Sequence, residues 1–227
     1  IRRDEDLDNL HSLYVDQWDW ETVITREVRD VEYLKKTVRK IYAAMQDTAE
    51  EICREFPALD NYLTQEITFV TTQELEDLYP DLTPKERENT FVREHGSTFL
   101  MQIGAPLRSG AKHDGRAPDY DDWALNGDIL LYYPVLDCAF EISSMGIRVD
   151  AESLHRQLAA ENCLDRLQYP FHKALVSGGL PLTMGGGIGQ SRLCLFLLNK
   201  MHIGEVQVSL WDEKTVRYCA ENNIPLM

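Results

Sequence analysis

With 227 residues, 44% of them hydrophobic, and a mean hydropathy of -0.35, the chain has the composition of a globular protein. Its 38 acidic and 23 basic residues give a net charge of -15, which argues against a nucleic-acid partner, because such a partner needs cations for its phosphates. The five cysteines form no CxxC pair, and no apolar run is long enough to cross a membrane. We therefore expect a single cytoplasmic domain over residues 1–227 that binds small ligands, without a membrane or nucleic-acid partner.

Residues 11–21 alternate in a way that predicts a β-strand. Side chains two positions apart on a strand point to the same face, so Gln17 and Asp19 are expected to lie together. An amide beside a carboxylate is suited to holding an amino acid. The alternative is an edge strand whose polar side chains face water.

The elements that follow are predicted to be structural. Apolar residues at steps of three and four indicate a helix of about seven turns over residues 30–56. A short strand is expected at 66–72 and a buried strand at 97–103. Between them, Thr83 with Pro84 and Glu86 forms a capping box that starts a second helix.

The segment 109–123 combines many charges with proline and aromatic residues, which favours a functional loop over a solvated one. A zwitterionic amino acid needs a cation for its carboxylate and an anion for its ammonium group, and Arg116 and Asp121 provide both. The alternative is that the aspartates of this loop and a nearby histidine form a divalent-metal site.

Two apolar, β-rich segments at 128–134 and 138–149 flank a proline-containing turn, which predicts an antiparallel hairpin. Asp128 and Glu141 lie within this hairpin, and burial of an acid is costly unless a cation accompanies it. Carboxylates together with phosphates are the ligands that Mg²⁺ prefers. The pair is therefore a candidate magnesium site, and strand-end acids that face water are the alternative.

The pattern further along the chain predicts helices at 150–158, 162–176 and 193–198, a short strand at 205–210 and a final helix. His155 and His172 fall on these helices without a partner four residues away. Both are interpreted as packed or surface histidines, and neither is assigned a role.

Residues 185–192 read Gly-Gly-Gly-Ile-Gly-Gln-Ser-Arg and lead into an apolar helix. Glycine lets a backbone approach a ligand closely because it has no Cβ. The stretch lacks the Lys-Ser/Thr pair of a phosphate-binding P-loop, and Arg192 stands where the dinucleotide pattern requires glycine. We interpret it as a flat backbone beside one fixed cation, which suits a nucleotide, and a glycine-rich turn is the alternative.

The stretch from Gly185 to Arg192 resembles the third signature motif of class II aminoacyl-tRNA synthetases, and Arg2 with the acids at 4–6 resembles the second. Residues 11–21, His-Ser-Leu-Tyr-Val-Asp-Gln-Trp-Asp-Trp-Glu, and residues 116–123, Arg-Ala-Pro-Asp-Tyr-Asp-Asp-Trp, are similar to the ammonia-dependent asparagine synthetases of the bacterial A type. The resemblance implies an α+β fold in which an antiparallel β-sheet is flanked by helices.

A reaction is also implied by the resemblance. L-Aspartate and ATP form a β-aspartyl adenylate and pyrophosphate, and ammonia then releases asparagine and AMP. The implied catalytic residues are Arg2 and Arg192. The implied ATP-binding residues are Arg2, Glu141, Gly187, Gly189 and Arg192. The implied Mg²⁺ ligands are Asp128 and Glu141. The implied substrate-binding residues are Gln17, Asp19, Arg116, Asp121, Ser144 and Arg148, although a bulge at Gly146 would reverse the direction of Arg148.

Two other functions stay open: an aspartyl- or asparaginyl-tRNA synthetase core, and a non-catalytic relative that binds an amino acid or a nucleotide. The negative charge argues against tRNA, and the presence of both arginines and both metal-site acids argues against loss of catalysis. The resemblance implies a homodimer and covers about the C-terminal two thirds of the family's chain. We therefore expect that an N-terminal part, and a longer loop between Trp123 and Ala124, are absent from this sequence.

Overall fold

The computed structural model describes residues 1–2 and 6–227, and its centre is a six-stranded β-sheet. The strands are β1 (Gln17–Val23), β2 (Thr68–Thr71), β3 (Thr98–Met101), β4 (Asp121–Tyr133), β5 (Cys138–Arg148) and β6 (Thr183–Gly189). Their spatial order is β1-β6-β5-β4-β3-β2; the pairing is antiparallel throughout except between β2 and β3. The predicted α+β class is confirmed, and the parallel pair arises because a helical crossover connects β2 to β3.

Seven α-helices surround the sheet in the described part of the chain. They are α1 (Val31–Glu55), α2 (Thr72–Leu78), α3 (Pro84–His95), α4 (Ala151–Ala160), α5 (Pro170–Val176), α6 (Gln190–Leu197) and α7 (Glu213–Glu221). Asp30 caps α1 by accepting a hydrogen bond from the Tyr33 amide, and Thr83 with Glu86 caps α3, as the sequence predicted. Among the described residues, no helix combines the length and the apolar character that a membrane crossing requires.

The two faces of the sheet have different coverings. One face packs against α1 and α6 in the main core, where Leu34 and Val38 lie in one cluster with Ile129, Phe140 and Leu195. The opposite face packs against α2 and α3 at its β2-β3-β4 end, through a second apolar cluster that includes Leu75, Phe91 and Leu130. On this second face, β5, β6 and β1 carry mainly glycine and polar residues, and this polar half of the sheet holds the candidate site.

A bulge in β5 places two polar residues on that face. Ser143 pairs with Ile129 of β4, but the next β4 residue, Leu130, pairs with Glu141, so Ile142 is an extra residue. Strict alternation would put Glu141 and Ser144 on opposite faces, because they are three positions apart. The bulge turns both toward the polar half of the sheet.

Two of the strand and loop predictions are wrong in their extent. β1 begins only at Gln17, so residues 11–16 are irregular rather than strand. The predicted loop 109–123 ends at Tyr120, because Asp121, Asp122 and Trp123 begin β4. This first part of β4 is irregularly paired: Asp121 lies opposite Arg148, and the next paired residue is Asn126, opposite Gly146. No extra loop interrupts the backbone between Trp123 and Ala124, and the absence of family residues there stays a prediction.

Two helical segments and one predicted strand also differ from the prediction. A short helix, α2, precedes α3 and uses the same capping box, here formed by Thr71 and Glu74. The segment 162–176 is divided into a 3-10 turn, Leu164–Gln168, and α5, because Pro170 can start a helix but cannot continue one. The predicted strand at 205–210 is instead a 3-10 turn, Ile203–Glu205, followed by irregular backbone.

Candidate active site

The glycines of β6 divide between the two faces of the sheet. Gly186 points into the core, where an added Cβ would lie 2.5 Å from the Cβ of Met145. Gly187 points to the polar half, where an added Cβ would lie 2.6 Å from Oδ1 of Asp19 and 3.4 Å from Nε2 of Gln17. The predicted pairing of Gln17 with Asp19 on one face is therefore confirmed, and the glycine beneath them makes room for both side chains.

A cleft lies above this part of the sheet. It is lined by residues from the N-terminal segment, β1, β5, β6 and α6, which are far apart in sequence. Those among them that the sequence singled out are Arg2, Gln17, Glu141, Ser144, Gly187, Gly189 and Arg192. The cavity thus joins the two predicted phosphate-binding arginines with Gln17, Ser144 and Glu141, while their roles stay predictions. Five other predicted residues do not line it: Asp19, Arg116, Asp121, Asp128 and Arg148. Asp4 and Glu5, which belong to the acids predicted after Arg2, lie outside the described residues.

Arg192 lies in the first turn of α6, at the end of the glycine strand. Its Nη1 donates to the backbone carbonyl of Glu141 at 2.9 Å, and its Nη2 lies 2.8 Å from Nε2 of His11. A guanidinium can only donate, so Nε2 accepts and the proton of the neutral imidazole is on Nδ1. That Nδ1 in turn donates to Asp8 at 2.8 Å. The Asp8-His11 pair fixes Arg192 beside the cleft.

Arg116 reaches from its loop down to the sheet. Its Nη1 donates to the Ser144 hydroxyl at 2.6 Å, and its Nη2 donates to Oδ1 of Asp128 at 2.6 Å. Burial alone would lower the pKa of Arg116, but the charge of Asp128 and the hydrogen bond to it raise the pKa above its usual value. The side chain is 16% exposed, and its guanidinium is held as a cation over the polar half of the sheet.

Asp121, the predicted partner of the substrate ammonium, bonds Arg148. The two form an ion pair between neighbouring strands, and Nη2 of Arg148 also donates to Glu21 of β1 at 2.8 Å. Burial raises the pKa of Asp121 above its usual value, although the charges of Arg148 and Arg116 oppose this effect. Ser144 and Gly146 pair in regular register with β6, so no bulge at Gly146 reverses Arg148.

Asp128 and Glu141 lie at one small surface pocket beside the cleft, together with His113 and Asp114 of the loop. Burial raises the pKa of Asp128 to about 6 despite the charge of Arg116, and the negative charge of Glu141 adds to the increase. In the described part of the chain, no group of three or more His, Cys, Asp or Glu side chains is arranged to hold a metal ion. The loop aspartates thus form no such metal site.

Two residues of the site were missed by sequence reasoning. His11 holds Arg192, and its acidic partner Asp8 lies three positions earlier, a spacing that places them together only in a turn. Glu21 extends the row of Gln17 and Asp19 by one further step of two, so the alternation of β1 already placed its carboxylate on the same face.

Known proteins are similar to this chain in sequence. A family model described as aspartate-ammonia ligase matches residues 1–223. Curated relatives of that name include one from Clostridium perfringens (strain SM101 / Type A), which is 59% identical over 227 residues. Another, from Ruminiclostridium cellulolyticum, is 58% identical over the same length. The chain is covered completely in both cases and spans 68% of each relative.

Solved structures share the fold at low sequence identity. The chain is similar to an aspartyl-tRNA synthetase from Entamoeba histolytica, with a TM-score of 0.67, 16% identity, and coverage of 94% of this chain and 46% of that one. It is also similar to an asparaginyl-tRNA synthetase of the same organism in complex with asparaginyl-adenylate, with a TM-score of 0.62, 18% identity, and coverage of 90% and 49%. These two structures show a class II synthetase catalytic fold. The chain covers less than half of each solved protein. The structural likeness shows only the fold, whereas the family model matches residues 1–223. This match shows that the chain belongs to the aspartate-ammonia ligase family.

Proposed function

We propose that the cleft over β6 makes L-asparagine from L-aspartate and ammonia, with ATP cleaved to AMP and pyrophosphate. The observation that carries this proposal is the order of charges along the glycine strand. Arg192 lies at the Gly189 end, Asp19 lies over Gly187, and Arg148 lies beside Gly185. At about 3.3 Å per residue, Gly185 and Gly189 lie about 13 Å apart along the strand, so the two arginines are well separated and the carboxylate lies between them.

The Arg192 end of the cleft suits the phosphates of ATP. Arg192 and Arg2 line one wall, and the backbone of Gly187 and Gly189 leaves space for a flat base. In the first step, an oxygen of the aspartate β-carboxylate attacks the α-phosphorus, and pyrophosphate leaves. Fixed guanidinium groups stabilise the negative charge that develops on the phosphoryl oxygens. Positioning and charge neutralisation suffice for this step, which requires no protein nucleophile.

The part of the polar half that adjoins the cleft suits aspartate. Gln17 and Asp19 face the same side, and Arg116 is anchored to Ser144 across the strand. The carboxylate of Asp19 binds the substrate ammonium, and Arg116 binds a substrate carboxylate. Aspartate has two carboxylates and one amine and therefore requires both kinds of contact. Arg148 and Asp121 neutralise each other next to this end, and we assign them to orienting the amino acid.

Asp128 and Glu141 fit a magnesium ion as part of its ligand set. Their mutual repulsion contributes to the raised pKa of Asp128, and a divalent cation between them would remove that cost. Two carboxylates are too few for Mg²⁺ by themselves, and nucleotide phosphates commonly complete such sites. When bound, the ion would neutralise phosphate charge during adenylate formation.

In the second step, ammonia attacks the β-carbonyl carbon of the aspartyl adenylate, the bond to the AMP oxygen breaks, and the nitrogen loses a proton. Free ammonia is the proposed nitrogen donor. A homodimer is the proposed assembly, in line with the resemblance to class II synthetases, and light scattering of the purified protein tests it: a monomeric mass in solution contradicts this part of the proposal.

The activity itself is tested by incubating the protein with L-aspartate, ATP, Mg²⁺ and ammonium and measuring asparagine and AMP. Equal amounts of the two products are expected, and asparagine is expected to disappear when ammonium is omitted. Formation of ADP instead of AMP, or transfer of aspartate to tRNA, contradicts the proposal.

A further inference from the structure

The loop that carries Arg116 is attached to helices on both sides of that residue. Three positions before Arg116, Nε2 of His113 lies 3.0 Å from Oε1 of Glu88 on α3. Three positions after it, Oδ2 of Asp119 lies 3.0 Å from Nε2 of His172 on α5. Each contact joins an imidazole to a carboxylate, and in each the loop supplies one partner and a helix the other.

Both imidazoles are buried in a way that fixes their tautomer. The side chain of His113 is 1% exposed and that of His172 is 8% exposed. The Nδ1 atom of each ring is buried and has no hydrogen-bond partner among the described residues. A proton on that atom would be a buried donor without an acceptor, which is costly. Nε2 of each ring therefore carries a proton, and each histidine donates one hydrogen bond to its carboxylate.

Between these two contacts the loop makes little packing of its own. An added Cβ on Gly115 would meet no atom within 4 Å, and Asp114 and Ala117 are exposed. The backbone around Arg116 is therefore held from the two sides of the loop, whereas its guanidinium is held by Ser144 and Asp128. Gln157 also contributes on the C-terminal side, by donating to the carbonyl of Pro118 at 2.9 Å.

We propose that His113 and His172 are positioning residues for Arg116. By fixing the loop through Glu88 and Asp119, they hold the guanidinium above Ser144 before aspartate binds, so that less conformational freedom is lost on binding. The inference rests on the proposed function, because it takes Arg116 to be a ligand of the substrate carboxylate. It adds two residues that touch neither substrate nor nucleotide.

Kinetics of matched variants test this role. His113→Leu and His172→Leu remove the donor, whereas His113→Gln and His172→Gln retain a donor near the position of Nε2. We expect each leucine variant to raise the KM for aspartate about tenfold, the effect of one lost hydrogen bond to a charged group, while the KM for ATP changes less than twofold. The glutamine variants are expected to recover most of the loss. His155→Leu, at an exposed position of α4, is the control and leaves both KM values unchanged.

Two further measurements separate positioning from general stability. With Arg116→Met as background, His172→Leu is expected to add no further change in the KM for aspartate, and additive effects overturn the proposal. Amide hydrogen exchange is expected to accelerate in residues 109–120 of the leucine variants but not in α1, and unchanged exchange in the loop also overturns it. Because exchange needs no turnover, it tests the inference even if asparagine is not the product. An active wild type with unaffected leucine variants refutes the inference alone.

Discussion

The carboxylate of Asp19 lies directly above Gly187, so close that a Cβ on the glycine would come within 2.6 Å of Oδ1. This relationship links the glycine strand to the amino-acid end of the cleft. It means that the glycines serve the side chains of β1 as well as any nucleotide that lies on the strand.

Alanine at neighbouring glycines of β6 is expected to separate function from stability. In Gly187→Ala the obstructed atom is the end of a movable side chain, so Asp19 is displaced, the KM for aspartate rises, and the melting temperature changes little. In Gly186→Ala the new methyl meets the Cβ of Met145 and the carbonyl of Ser144, at 2.5 and 2.8 Å, which costs about 1–3 kcal/mol of folding free energy. Thermal unfolding and steady-state kinetics of the two variants check this. Equal losses of stability would contradict the assignment of the two faces.

Removal of the Arg192 side chain is expected to abolish adenylate formation. Arg192→Ala should lower ATP-pyrophosphate exchange by about 10²–10³, the effect of losing a fixed group that stabilises transition-state charge. The circular dichroism spectrum should stay unchanged, because Arg192 is partly exposed and belongs to no apolar cluster. Arg54→Ala, at the exposed end of α1, is the matched control. Unchanged exchange in Arg192→Ala would remove this arginine from the mechanism.

The contact between Glu88 and His113 predicts a pH dependence of stability. Burial tends to raise the pKa of Glu88, but the hydrogen bond from His113 and the charge of Lys85 outweigh it and lower the pKa below its ordinary value of 4.5. Below pH 4.5, the unfolded chain binds more protons than the folded chain does. The contribution of Glu88 to the free energy of unfolding therefore grows as pH rises through this range. It is fully present above pH 4.5 and is lost as pH falls.

Urea unfolding of the wild type and of Glu88→Gln at several pH values measures this contribution as a difference. The free energy of unfolding of the wild type is expected to exceed that of Glu88→Gln by a smaller amount as pH falls from 5 to about 3. The other titrating groups contribute equally in both proteins, so their contributions cancel in the difference. A difference that is constant across this range would show that Glu88 is not stabilised as a carboxylate.

Magnesium dependence tests the pair of acids at the edge of the cleft. Glu141→Gln, an exposed and isosteric change, is expected to raise the Mg²⁺ concentration for half-maximal pyrophosphate exchange about tenfold, because one of two protein ligands loses its charge. Chelation of Mg²⁺ should abolish exchange in the wild type. Glu50→Gln, at an exposed position of α1 and outside the cleft, is the control. An unchanged requirement in Glu141→Gln would move the ion away from this pair.

Several features were accessible from the sequence because they depend on local rules. The 3.6-residue period and the caps gave α1 and α3, and the two-residue period of β1 placed Gln17 with Asp19. The bulge at Ile142 was not accessible, since its position depends on pairing with β4, a long-range property.

The pairing of charges in the site was equally inaccessible. Arg116 and Asp121 were expected to bind the two charged ends of the substrate, and the sequence did not indicate that Arg116 bonds Asp128 and Ser144 on two different strands. Which carboxylate an arginine selects depends on the register of the strands beneath it, and sequence spacing does not contain that information. His172 was left without a role for the same reason, because its partner Asp119 is 53 residues away.

In the proposed reaction, an aspartate oxygen becomes bonded to the α-phosphorus of ATP in this cleft. This step is tested most directly with aspartate labelled with ¹⁸O in the β-carboxylate, incubated with the protein, ATP, Mg²⁺ and ammonium. The account predicts asparagine together with AMP that carries one ¹⁸O atom, because the oxygen that attacks phosphorus stays with AMP when ammonia displaces it. AMP without ¹⁸O, or ¹⁸O in inorganic phosphate released alongside ADP, would contradict the adenylate and the function proposed from it.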